Sequence, residues 1–196
     1  MTQTYEEMDA IAMLKADHRK VEDIFEKFEK ASGKDRKQAL AEQACLELKV
    51  HTIIEEEIFY PACRGQIDEA DLNEAYVEHD AAKVLINDIE AGGPDEAFYD
   101  AKVKVLSEMI EHHVEEEEKR VEGMFSQARK AGLDMDALGE QMALRKQQAL
   151  AEFERDGLPA PETRSFTGHE LEEGVPVEDE STDRASPGRD SLRSAS

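Results

Sequence analysis

His51-Thr52-Ile53-Ile54-Glu55-Glu56 and His113-Val114-Glu115-Glu116-Glu117-Glu118 share one layout, a histidine followed four residues later by a glutamate. On a helix, positions i and i+4 lie on one face about one turn apart, so each pair presents two donor groups in the same direction. Upstream of each pair stands a lone histidine. His18 precedes His51 by 33 residues and His79 precedes His113 by 34, so the sequence holds a near-repeat offset by 61 or 62 residues.

Outward from these pairs, apolar residues recur every three and four positions and nothing alternates with period two, the pattern of helices. The spacing predicts helix A over 5–31, ended at Ser32-Gly33, and helix B over 35–60, stopped by Pro61. Helix C is expected over 69–90, closed by Gly92-Gly93-Pro94, and helix D from about 95 to 130, closed by Ala131-Gly132. Short connections make sequential helices antiparallel neighbours, so the fold class is all-α, an up-down-up-down four-helix bundle over 1–132. An additional amphipathic helix is expected over 134–156, in a C-terminal unit at 133–157. From 158 to 196 the sequence is rich in Pro, Ser and acidic residues. Such a stretch cannot offset the entropy of ordering, which predicts a disordered acidic tail with His169 in it, solvated.

Each helix has an inward seam spaced 3 and 4. The seams read Ile11, Leu14, His18, Val21, Phe25, Phe28; Ala41, Ala44, Leu48, His51, Glu55, Ile58, Ala62; Leu72, Ala75, His79, Ala82, Ile86, Ile89; and Val103, Leu106, Ile110, His113, Glu117, Val121, Met124, Ala128. Four histidines and two glutamates therefore occupy core positions. A lone core histidine is most often satisfied by a local hydrogen bond, and glutamate runs are usually solvated faces. Six such groups at one level are different, because burying them unpaired costs several kcal/mol each. A pair of metal ions is the most economical common partner, and imidazole with carboxylate suits iron, manganese or zinc. The predicted metal residues are His18, His51, Glu55, His79, His113 and Glu117.

Bulk composition narrows the partners. Lysine and arginine total 24 against 47 aspartates and glutamates, a formal net charge of −23. So acidic a surface repels nucleic acid and anionic lipid, and neither partner is expected. No apolar run reaches membrane-spanning length, and the acidic N-terminus lacks the order of a secretory signal. Cys45 and Cys63 form no CxxC pair, and a reduced cytoplasmic setting is the default. Cys63 reads as a small semi-buried residue.

The stretches Leu14-Lys-Ala-Asp17-His18-Arg-Lys-Val21, His51-x-x-x-Glu55-Glu56-x-Ile58-Phe59-Tyr60-Pro61, Glu78-His79 and His113-x-x-x-Glu117-Glu118 together resemble the hemerythrin-like HHE cation-binding family over about residues 8–128. The resemblance implies two non-haem iron ions with an oxo or hydroxo bridge, and a small ligand: dioxygen, nitric oxide or peroxide. It implies sensing, carriage or detoxification, with catalase-like or nitric-oxide-reducing turnover and a metal-independent helical interaction protein as alternatives. The sequence also departs from the oxygen carriers. Their third helix bears two histidines four apart, and here Lys83 stands four residues after His79. The freed position is open, filled by water, or taken by a side chain such as Tyr76. In the fourth helix Glu118 has the carriers' spacing from His113, whereas Glu117 repeats the geometry of Glu55. Residue i+5 points about 140° away on a regular helix, which favours Glu117. His112 is expected in an outer layer or at the surface.

Overall fold

The computed structural model describes residues 8–166. Two helical hairpins form the bundle. In the first, α1 (Ala10–Lys30) and α2 (Lys34–Ile54) are joined by three residues turning at Gly33, whose φ is +93°. In the second, α4 (Glu69–Ala91) leads into α5 (Tyr99–Glu118). The helices close as a ring, with α2 against α4 and α5 against α1. Asp9 and Asp68 cap α1 and α4 by accepting from the backbone N–H of Ala12 and Ala70, each at 2.8 Å. Such caps satisfy amides the helix itself leaves open.

Helix B does not stop at Pro61. After Ile54 the backbone makes a π-turn, Glu55–Phe59, and continues as α3 (Tyr60–Cys63) with Pro61 in its first turn. A π-turn inserts one residue into the helical repeat. Beyond it the seam is displaced by one position: Phe59 and Cys63 are buried where Ile58 and Ala62 were expected.

Helix D is not continuous. It begins at Tyr99, ends at Glu118, and resumes as α6 (Met124–Lys130) after a turn at 119–123. Gly123 makes this turn possible, because a Cβ there would lie 2.5 Å from the backbone nitrogen and oxygen of Lys119. Val121, expected in the seam, is 65% exposed on this turn. Helix A starts at Ala10, with Asp9 as its cap; residues 1–7 lie outside the described residues.

The fifth long helix, α7 (Met135–Asp156), is capped by Asp134 and packs on α1, α2 and the π-turn. It approaches closely because Gly139 presents no side chain: a Cβ there would sit 2.5 Å from the carbonyl oxygen of Met8 and 2.9 Å from the nitrogen of Ala10. Gly139→Val should therefore destabilise by about 1–3 kcal/mol through overpacking. Thermal unfolding checks this, at roughly 2–4 °C per kcal/mol for a protein of this size. The first residues of the expected tail pack on the bundle. Residues 158–166 have no regular structure, yet their backbone is bonded to α4. The rest of the expected tail, His169 included, lies outside the described residues. Among the described residues no helix is long and apolar enough to cross a membrane.

The core is split in two. One apolar cluster (Val21, Phe25, Leu48, Ile86, Leu106 and neighbours) fills the half toward the α1–α2 turn. The other (Leu14, Ile54, Phe59, Tyr60, Leu72, Met124 and neighbours) fills the opposite half. Between them lies a buried polar layer.

Candidate metal centre

His18, His51, Glu55, His79, His113 and Glu117 converge in that layer, each at most 5% exposed. Their donor atoms form two groups able to hold an ion, His18–His51–Glu55 and Glu55–His79–His113, which share Glu55. Glu55 Oε2 lies 3.0 Å from His51 Nε2 and 3.3 Å from His79 Nε2. Glu117 faces it, with Oε2 3.4 Å from His18 Nε2 and Oε1 3.7 Å from His113 Nε2. The two glutamates thus span both halves.

The four imidazoles share one orientation. Nε2 of His18 and His51 stand 3.2 Å apart, as do those of His79 and His113. Each Nδ1 points outward to a carboxylate: His18 to Glu118 at 2.9 Å, His79 to Glu56 at 3.1 Å, His113 to Glu78 at 2.7 Å and His51 toward Asp17 at 3.6 Å. A carboxylate behind a histidine keeps the proton on Nδ1 and leaves the Nε2 lone pair inward. Glu55 Oε1 and Glu117 Oε2 are buried without a hydrogen-bond partner. Facing lone pairs and unsatisfied carboxylate oxygens call for cations between them, so the donor set fits a pair of metal ions.

The outer carboxylates were overlooked as a set in reading the sequence. A signal existed: each inner residue or pair has an acid beside it in Asp17-His18, Glu55-Glu56, Glu78-His79 and Glu117-Glu118. Each of these acids serves a histidine on another helix. Glu118 is therefore the outer partner of His18, and Glu117 occupies the inside. His112 is 60% exposed, 3.5 Å from Glu78.

Tyr60 was also missed as a site residue. Its hydroxyl lies 3.0 Å from Glu117 Oε1, 3.2 Å from His79 Nε2 and 3.5 Å from Glu55 Oε2. It follows Glu55 by five residues, which on a regular helix would send it elsewhere; the π-turn, closed by the Tyr60 N–H on the Glu55 carbonyl, aligns the two. Tyr76 instead packs edge-on against the Tyr60 ring, centroids 5.2 Å apart, with the Arg64 guanidinium over its own ring. Lys83, where carriers have a histidine, turns away to Glu56 at 2.6 Å and Asp80 at 3.2 Å.

Charge is unevenly shared. Burial and the Glu55 charge push the Glu117 carboxyl up to about 8, while Glu55 is held well below the usual range by the His51 and His79 contacts that overcome its burial. Two adjacent carboxylates cannot both ionise freely. Burial also opposes a charged His51, but Glu55 and Asp17 outweigh it and raise this imidazole to about 10. Burial dominates at His18, which falls to about 4.

Above the histidines is an apolar hollow of about 10 Å³, lined by Val21, Leu48, Ala82, Ile86, Ile110 and Val114. Ile86 and Ile110, members of the first apolar cluster, line it, and Phe25 and Ile54 do not. An acidic cleft of about 530 Å³, lined by Asp68, Asp71, Glu74 and Glu78, reaches His113 and Glu117 from outside. Cys45 and Cys63 are fully buried free thiols, both raised to about 12 chiefly by burial.

Residues 9–125 match the family model described as hemerythrin HHE cation binding domain. The fold is similar to the crystal structure of a hemerythrin HHE cation binding domain-containing protein from Mycobacterium kansasii, with a TM-score of 0.63 at 22% identity over 77% of this chain and 95% of that one. A "DNA nickase" of Nostoc sp. is 28% identical over 113 residues, 58% of this chain and 32% of the relative, so the chain spans about a third of that protein's length. With the match covering more than half of its length and the six donor residues inside it, the chain belongs to the hemerythrin HHE cation-binding domain family.

Proposed function

We propose that this domain holds two non-haem iron ions and binds dioxygen, nitric oxide or peroxide at them, for sensing, carriage or detoxification. His18, His51, His79 and His113 would hold the ions through nitrogen, and Glu55 and Glu117 would hold them through their carboxylates. The observation that carries the reading is the common orientation of the imidazoles, Nδ1 outward on an acid and Nε2 inward in two facing pairs 3.2 Å apart. When bound, an iron pair supplies one- and two-electron chemistry to a small ligand. The protein's own residues do the rest. Ile86, Ile110 and Val114 wall the centre with apolar side chains and leave a hollow of only about 10 Å³. The acidic cleft gives cations a route in, and Lys83 leaves the centre one imidazole short of the oxygen carriers.

Tyr60 favours a second reading, catalase-like decomposition of peroxide to oxygen and water, which needs no outside reductant. Its hydroxyl keeps its proton, since burial and the charges of Glu117 and Glu55 raise it far above the usual range. That hydroxyl lies within 3.5 Å of three inner side chains, where a reacting oxygen would need a proton. Nicking of DNA is not part of this reading, because a net charge of −23 disfavours contact with phosphates. The cytoplasmic setting is part of it, consistent with two unpaired thiols.

Anaerobic ferrous loading should saturate at about two ions per protein molecule, and the absorption spectrum should change on adding dioxygen, nitric oxide or azide. Zinc preference, or a spectrum indifferent to all three, rules the iron reading out. Tyr60→Phe should keep the metal and lower peroxide consumption by roughly 10²-fold or more if the phenol moves a proton. Wild-type turnover no faster than free iron removes the catalase reading.

A further inference from the structure

We propose that the segment following the family match positions the centre from outside, through Lys146 behind His51 and Arg164 behind His79. The proposal rests on the metal reading above and adds residues that lie beyond 9–125.

Lys146 is on α7 and only 5% exposed. A buried ammonium is costly unless paired, and apolar residues would pack α7 as well. Its Nζ reaches Asp17 Oδ1, and Asp17 Oδ2 is the carboxylate oxygen facing His51 Nδ1. Helix α7 therefore delivers a positive charge to the acid behind this imidazole.

After α7, Gly157 turns the backbone at φ +73° and residues 158–165 run back over α4. The carbonyls of Pro161 and Glu162 accept from Asn87 at 3.4 Å and Lys83 at 3.2 Å. Buried Asp80, the neighbour of His79, accepts from the backbone N–H of Arg164 at 2.8 Å, that of Ser165 at 2.5 Å and the Ser165 hydroxyl at 2.6 Å. Three bonds to one carboxylate oxygen anchor the strap. They set Arg164 Nε 3.0 Å from Glu56 Oε2, while Glu56 Oε1 receives His79 Nδ1 at 3.1 Å.

The arrangement is selective. Behind His18, Glu118 takes its cations from Arg19 at 2.8 Å and Lys15 at 3.3 Å, both inside the family match. The extension brings Lys146 to the acid behind His51, and behind His79 it adds Arg164 on Glu56 Oε2 to the Lys83 ammonium already 2.6 Å from Glu56 Oε1. A cation there fixes the carboxylate's direction and restrains its pull on the Nδ1 proton, so the imidazole stays a neutral ligand of fixed aim. Taking Lys146 from Asp17, or Arg164 from the pair of cations on Glu56, makes the imidazole a stronger donor and favours the more oxidised metal.

The test uses the full-length protein as Arg164→Gln, Arg164→Lys and Lys146→Met, with Arg155→Gln on the exposed part of α7 as control. Affinity for zinc and ferrous iron is measured against a competing chelator, and reduction potential on the iron-loaded protein. Arg164→Gln should weaken metal binding on the order of tenfold, the low end for an outer partner, and Lys146→Met should approach a hundredfold. The ferric-to-ferrous ratio should rise about tenfold in each, a fall of about 59 mV for one electron. Arg164→Lys should recover most of both. Arg164 is 57% exposed, so its variants keep the fold and decide the matter where Lys146→Met does not fold. Wild-type affinity and potential in Arg164→Gln overturn the proposal and leave the metal reading standing. A wild-type protein that binds no metal overturns both.

Discussion

Glu55→Ala should leave the protein without bound metal. Glu55 is fully buried and is the one residue common to both candidate ion groups, so its loss opens both halves at once. It also leaves His51 and His79 facing an empty space where a carboxylate had been 3.0 and 3.3 Å away. Metal content by elemental analysis should fall from about two ions per molecule to background, as a ligand-poor dinuclear site cannot be held by the remaining half. His51→Ala should do the same. Glu55→Gln keeps the shape but not the charge, and separates lost folding from lost binding. A Glu55→Gln protein that folds and still holds two ions would overturn the assignment of Glu55 as a ligand.

The second large effect is on stability when metal is removed. A ligand that binds only the folded state at a free concentration 1,000 times its Kd contributes about 4 kcal/mol. Chelation should therefore lower the melting temperature by roughly 10 °C for a protein of this size. The loss should deepen with alkali. His51 in the folded protein holds its proton to about 10, against 6.5 when free, and Glu117 to about 8, against 4.5. Both pKa values are raised by folding, so each group's stabilising contribution is complete below its unfolded value and lost as pH rises through the folded one. His18 acts in the opposite sense: depressed to about 4, it contributes above 6.5 and loses that contribution as pH falls toward 4. Metal-free protein should thus destabilise most steeply from pH 6.5 to 8, where His51 and Glu117 act together and His18 no longer changes, and further to about pH 10 through His51. Loaded protein should not, because cations replace those protons. Melting curves across that range, with and without chelator, check it; parallel profiles would contradict the proposed ligand set.

The inner residues were legible because seam positions repeat at helical spacing and the ligand layout occurs twice. His18, His51, Glu55, His79, His113 and Glu117 each fall where a 3.6-residue repeat puts them inside, and the structure brings all six together. The outer layer was less legible. Asp17, Glu56, Glu78 and Glu118 look like solvated acids beside core residues, and only the packing of one helix on the next shows which histidine each one backs.

Local order along the sequence, then, determined the helices, their antiparallel pairing and the polar layer, since hydrophobic period and short connections act between near neighbours. Tertiary structure alone decided three things. The π-turn at Glu55–Phe59 shifts the seam by one residue and swings Tyr60 into the centre. The turn at Gly123 ends α5 one residue past Glu117. The extension lays Lys146 and Arg164 on acids 129 and 108 positions away in sequence. No periodicity encodes these, because each is a contact or a change of helical repeat whose free energy is set by groups distant in sequence.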